Sequence, residues 1–164
     1  EAEGDKHREQ QEYAQAIACY REVIQDEPNN AAILNRLAWV IAVSPQKDQP
    51  VDDALKFARR ANQGQPNNGF YRNTLGAAQF RSGQFAEALR NLVAVADAPP
   101  KSFGWLSHNL FFQALCHEKR GDRPNAQAAY GKALELLKNA SSDTPRWNEA
   151  RLLQKEVASM IVEK

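Results

Sequence analysis

Apart from its carboxylates, few side chains in this chain are able to hold a metal or move a proton near neutral pH: His7, His108 and His117, with Cys19 and Cys116. The adjacent Cys116 and His117 have the residue types of a metal site, but the spacing works against one. His108 and His117 are nine positions apart, and at about 100° per residue a helix sets them on opposite sides. Cys116 faces a third direction, and Cys19 stands at no ligand spacing. Packing or surface roles therefore account for the histidines. The pair Asp52-Asp53 reads as helix N-terminal charge rather than a catalytic dyad. The chain has no phosphate-cradling glycine loop, no GxSxG and no HExxH. The expectation is no catalytic residue, no metal, no cofactor and no enzyme.

The remaining chemistry is recognition by surface, which depends on the elements that present it. The stretch Tyr71–Val95 reads as two short amphipathic helices joined at Ser82-Gly83. Gly76 and Ala77 on the first, and Ala86 and Ala88 on the second, are small residues where two helices would touch. Leu75, Phe80, Phe85, Leu89, Leu92 and Val95 flank them with apolar bulk. A hairpin of this size cannot bury its own apolar face and needs neighbours of the same kind.

Those neighbours exist. Ala16, Ala54, Ala88 and Ala126 are spaced 38, 34 and 38 residues apart. Val23, Ala61, Val95 and Ala133 keep the same spacings, as do Tyr20, Ala58, Leu92 and Tyr130. Pro28, Pro66 and Pro100 follow the first two. The period is 34, with four residues inserted twice, in SPQKDQP at 44–50 and in KSFGWL at 101–106. Helical spacing predicts segments at 2–10, 12–26, 30–43, 51–63, 70–82, 85–97, 107–120, 124–138 and 145–162. The first is almost wholly polar and is expected to fray. Pro28 and Pro66 stop helices, and the asparagines after them can cap the next. Pro145 suits a first helical position. Beyond it, Trp147, Ala150, Leu153, Val157, Met160 and Ile161 share one side, with charge on much of the other.

A helix–turn–helix unit of about 34 residues with Leu-Gly, then Ala, large apolar, Ala and a closing Pro resembles the tetratricopeptide repeat. The third unit carries the pattern best, through Leu75-Gly76, Gly83, Phe85, Ala88, Leu92, Val95 and Pro100. The first unit shows its second half, EYAQAIACYREVIQDEP. The second shows Leu37-Ala38, Ala54, Ala58, Ala61 and Pro66. The fourth shows Ala114, Gly121-Asp122, Ala126, Tyr130 and Ala133. Leu34, Arg72 and Leu110 stand where the family has Trp. The resemblance covers nearly the whole chain and implies an all-α, right-handed α-solenoid. Its units are 1–28 (incomplete), 31–66, 69–100 and 107–138, and a capping helix follows at 145–162.

In that family the first helix of each unit lines a concave groove that takes peptides or partner helices. By register the implied lining is Asn35, Trp39 and Val43; Phe70, Asn73, Ala77 and Arg81; and His108, Phe111, Leu115 and Lys119. Trp39 and Phe111 are read either as anchors or as packing between repeats. Asn35 and Asn73, 38 apart, are read either as solvated polar residues or as partners for a peptide backbone, since each offers a donor and an acceptor. Positions matching the family's carboxylate clamp carry Glu1, Asp5, Arg36, Phe70 and Thr74. Only Arg36 is basic, so that mode is unsupported. Phe103 and Trp105 are expected to fold over a gap between helices rather than stand out as a binding knob.

The implied function is a protein-binding scaffold, with self-association as the alternative. Twenty-one basic against 20 acidic residues, a net charge of +1, argues against a protein built to hold nucleic acid. No run is long and apolar enough to insert in a membrane. Two unpaired, helix-embedded cysteines suit a reducing compartment, so the expected location is the cytoplasm. The opening EAEGDKHREQ, without Met, is expected of a piece of a longer protein. The units are similar to repeats attached to bacterial signalling proteins, including serine/threonine kinases.

Overall fold

The computed structural model describes residues 1–45, 50–96, 103–139 and 145–161. Every element among them is an α-helix. They are α1 (Ala2–Glu9), α2 (Tyr13–Asp26), α3 (Ala31–Val43), α4 (Val51–Gly64), α5 (Gly69–Arg81), α6 (Phe85–Ala96), α7 (Phe103–Lys119), α8 (Arg123–Lys138) and α9 (Pro145–Ile161).

Consecutive helices pair as hairpins: α1 with α2, α3 with α4, α5 with α6, and α7 with α8. Each hairpin stacks on the next through its second helix, and α3, α5 and α7 also touch in sequence. One apolar core runs through the stack, from Tyr20 through Leu37, Leu92 and Phe112 to Leu153. This is an α-solenoid. The small residues of the third hairpin do what their spacing suggests. A Cβ on Gly76 would lie 2.7 Å from Leu92 Cγ, so only glycine allows α5 and α6 to approach this closely.

Short side chains start the helices. Asn30 Oδ1 accepts from the backbone N–H groups of Ala32 and Ile33 at 3.0 and 3.2 Å. Asn68 Oδ1 accepts from those of Phe70 and Tyr71 at 3.0 and 3.4 Å. These are the orphan donors of a helix N-terminus, and the Pro-Asn-Asn steps supply their acceptors. Reversed turns close the hairpins. Gly83 and Gly121 have φ of 77° and 76°. The following N–H reaches back five residues in each case, Gln84 to the Gln79 carbonyl at 2.9 Å and Asp122 to that of His117 at 2.9 Å.

Two expectations change. Polar α1 does not fray, because polar contacts hold it in place of apolar ones. The Tyr20 hydroxyl donates to Asp5 Oδ1 at 2.6 Å, Gly4 is buried against the Tyr20 ring, and Arg36 pairs with Glu1. The second insertion is partly helix. Residues 103–106 lengthen α7 to 17 residues. Four residues add about one turn, so the register of the fourth unit survives. Of the first insertion, residues 46–49 lie outside the described residues.

A concave face crossed by the last helix

The lining implied by register can be placed residue by residue. Trp39, Arg81 and His108 all turn to one side of the stack, and there they meet α9. Glu149 of α9 is 1% exposed. Arg8 of α1 donates to both its oxygens, Nε to Oε1 at 2.7 Å and a terminal nitrogen to Oε2 at 2.8 Å. Trp39 Nε1 of α3 donates to Oε2 at 3.1 Å, and His108 Nε2 of α7 lies 3.8 Å from the same oxygen. Seven residues on, Glu156 receives both terminal nitrogens of Arg81, on α5, at 2.5 and 2.8 Å. The Arg81 Nε donates to the Ala42 carbonyl at 2.7 Å, and its guanidinium lies over the Phe80 and Phe112 rings. The first helix of every unit thus touches α9. It is more than a cap on the last hairpin; it lies along the concave face.

Burial alone raises the Glu149 carboxyl, since a charge leaves water. The Arg8 ion pair, with His108 and Trp39, outweighs that and holds the carboxyl below its ordinary range. The partner Arg8 is raised by the same contact, against its own burial.

Other expected lining residues lie elsewhere. Phe111 is fully buried and packs on Tyr130 of α8, with ring centroids 6.0 Å apart, so it holds its own hairpin together and is no groove anchor. Val43, Ala77 and Leu115 are buried core. Asn73 is buried, and its Oδ1 accepts from Asn109 Nδ2 at 2.8 Å, in a network that continues to Gln113. Its carbonyl therefore serves the α5–α7 contact and not a peptide. Lys119 is exposed at the end of α7.

What remains open on this face is a pocket of about 90 Å³ beside the N-terminal end of α9. Asn35, Trp39, Phe70, Asn73, Trp105 and His108 line it, with Thr74 and Glu149, and Arg8, Arg36 and Arg146 bring three guanidiniums. Phe70 is 49% exposed and meets the Trp105 ring edge-on at 5.7 Å. Trp105 therefore packs into the pocket wall rather than standing out as a knob. Asn35 Oδ1 and Trp105 Nε1 are buried and have no hydrogen-bond partner among the described residues. Sequence reasoning missed Arg8 and Glu149. The available signal was an acidic residue on the same α9 stripe as Leu153 and Met160.

Among the described residues no group of three or more His, Cys, Asp or Glu is arranged to hold a metal ion, and no helix is long and apolar enough to cross a membrane. Cys116 is buried, which pushes its thiol up to about 12.

A sequence model of the tetratricopeptide repeat matches residues 4–40, which take in most of α1, all of α2 and most of α3. The small glutamine-rich tetratricopeptide repeat-containing protein 2 of Mycosarcoma maydis is 32% identical over 88 residues, 54% of this chain. The aligned part spans 24% of that relative's length. Solved structures of MamA are similar in fold. One has a TM-score of 0.58 at 18% identity, covering 98% of this chain and 95% of its own. Another, MamA MSR-1, has a TM-score of 0.60 at 18% identity, covering 93% of each. Repeated hairpins in a 34-residue register, a family match at 4–40 and a relative named for the same repeat agree: residues 4–40 match the tetratricopeptide repeat, and the chain is similar to proteins that contain it.

Proposed function

We propose that this chain is a protein-interaction module, and that a peptide segment of its partner enters the pocket between α3, α5, α7 and α9. One observation carries the reading. A buried acceptor, Asn35 Oδ1, and a buried donor, Trp105 Nε1, line the same opening without hydrogen-bond partners among the described residues. Buried polar groups left unpaired are costly, and a peptide group supplies one N–H and one C=O. Phe70, half exposed at the rim, offers an aromatic contact beside them.

The test is site-specific cross-linking. A photoreactive phenylalanine analogue is placed at position 70 in one sample and, in another, at exposed Val93 on α6. A partner that couples at position 70 and not at position 93 is the expected result. Equal coupling at both positions, or coupling at 93 alone, would remove the concave face from consideration.

A further inference from the structure

The polar contacts of α9 are unusual for a helix that only covers the end of a stack. Such a helix needs an apolar face on one side and a wet face on the other. Here the packed face carries two carboxylates, Glu149 and Glu156, with Leu153 buried between them. Seven residues is close to two helical turns, so the two acids project from one stripe about 10 Å apart. Across from them stand Arg8, with Trp39 and His108, and then Arg81. The Glu149 pair is buried and the Glu156 pair partly so. Ion pairs set into a packed face add little to stability compared with apolar residues of the same size, but they fix which helix sits there and in what register. Arg81 is held before it reaches Glu156, by the Ala42 carbonyl and two aromatic rings. The groove side is thus set to receive a carboxylate.

We propose that α9 is a tethered occupant of the concave groove, and that the partner displacing it is an amphipathic helix carrying two carboxylates seven residues apart around an apolar residue. This rests on the concave face being the interaction site. The open pocket lies at the Glu149 end, so an incoming chain makes its first contacts there before α9 leaves. The tether gives α9 a high effective concentration, which holds the groove shut to weak or wrongly spaced helices. The partner's chemistry is that of α9 itself: Glu, then Leu four residues on, then Glu three further.

The probe is a fluorescein-labelled peptide of residues 145–161, PRWNEARLLQKEVASMI, read by anisotropy against the full chain. Glu156→Gln in the full chain weakens its own α9 and leaves the groove arginines intact. Apparent affinity follows the fraction of open groove, so this variant is expected to bind the peptide about tenfold more tightly than the native chain does. A peptide with both glutamates changed to Gln is expected to bind the variant about tenfold more weakly than the native peptide, since charge-assisted hydrogen bonds are lost. Hydrogen exchange checks that the variant is folded: the amides of α9 speed up about tenfold while α3 and α5 keep their protection. Equal peptide binding by native chain and variant would overturn the proposal. So would indifference of binding to the two glutamates, or exchange that speeds up across the whole chain. A concentration-dependent dimer in sedimentation would assign the occupant to a second copy and overturn the tether. If the peptide results fail while partner cross-linking at position 70 persists, the occupant idea falls and the concave-face reading stands.

Discussion

Gln11 stands in the turn of the first hairpin where Gly83 stands in the third. Its φ is 61° against 77° for Gly83, and it is the one non-glycine among the described residues in that region. The hydrogen bonds also correspond: the Glu12 N–H reaches the His7 carbonyl at 2.8 Å, as that of Gln84 reaches Gln79 at 2.9 Å. A side chain with a Cβ is strained in this left-handed conformation.

Gln11→Gly is therefore expected to stabilise the chain by about 1 kcal/mol, the left-handed strain less the extra freedom that glycine brings to the unfolded chain. For a chain of this size that raises the melting temperature by about 2–4 °C, read by thermal circular dichroism. Gly83→Ala, which meets nothing within 4 Å, isolates the backbone effect and is expected to cost about 1 kcal/mol. A destabilised Gln11→Gly chain would mean that its side chain does more than the turn requires.

Gly76→Ala tests the helix contact in the third hairpin. The new Cβ would meet Leu92 Cγ at 2.7 Å and the Ala88 backbone carbonyl at 3.3 Å. Leu92 is fully buried and has little room to turn aside. The expected loss is about 1–3 kcal/mol, measured by urea unfolding with an unchanged slope. A loss below about 0.5 kcal/mol would show that α5 and α6 part without strain.

How far these features can be read from the residues differs from one element to the next. Local chemistry was legible. Pro-Asn-Asn steps gave the caps at Asn30 and Asn68, because a cap is decided within three residues. Columns such as Ala16, Ala54, Ala88 and Ala126 gave the stack, because each hairpin repeats one contact. Register also set Trp39, Arg81 and His108 on one side of the array. It did not show that α9 lies across that side. An apolar stripe says that a face is covered, not what covers it. Polar α1 looked loose for the same reason, since its partners Tyr20, Arg36 and Glu149 are distant in the chain. Phe111 was ambiguous because both a groove and a hairpin interior accept a large ring, and only its contact with Tyr130 decides between them.

Cysteine reactivity is expected to divide sharply. Burial pushes the Cys116 thiol up to about 12, which leaves little thiolate at pH 8. Cys19 is partly exposed on α2. Iodoacetamide on the native chain should modify Cys19 at least tenfold faster than Cys116, with both reacting once the chain is unfolded in guanidinium. Peptide mass mapping over a time course reads the ratio, and equal rates on the native chain would mean that α7 opens readily.

Acid is the remaining lever, through Glu149. Its folded pKa lies below the ordinary carboxylate value, because Arg8, His108 and Trp39 outweigh the cost of burial. The stabilisation is therefore fully present above the unfolded value of about 4.5 and is lost as pH falls through the lower folded value. Unfolding free energy should stay level with respect to this group from pH 7 down to about 5 and then drop. Glu149→Gln removes the charge and leaves Arg8 facing a neutral amide in a packed site. It should cost about 3 kcal/mol at pH 7, and the variant should lose less than the native chain between pH 5 and pH 3. Urea titrations at both ends of that range give the comparison. A variant with the same acid dependence as the native chain would place the titrating carboxylate elsewhere, with partly exposed Asp122, lowered by its hydrogen bonds from Asn125 and His117, the next candidate.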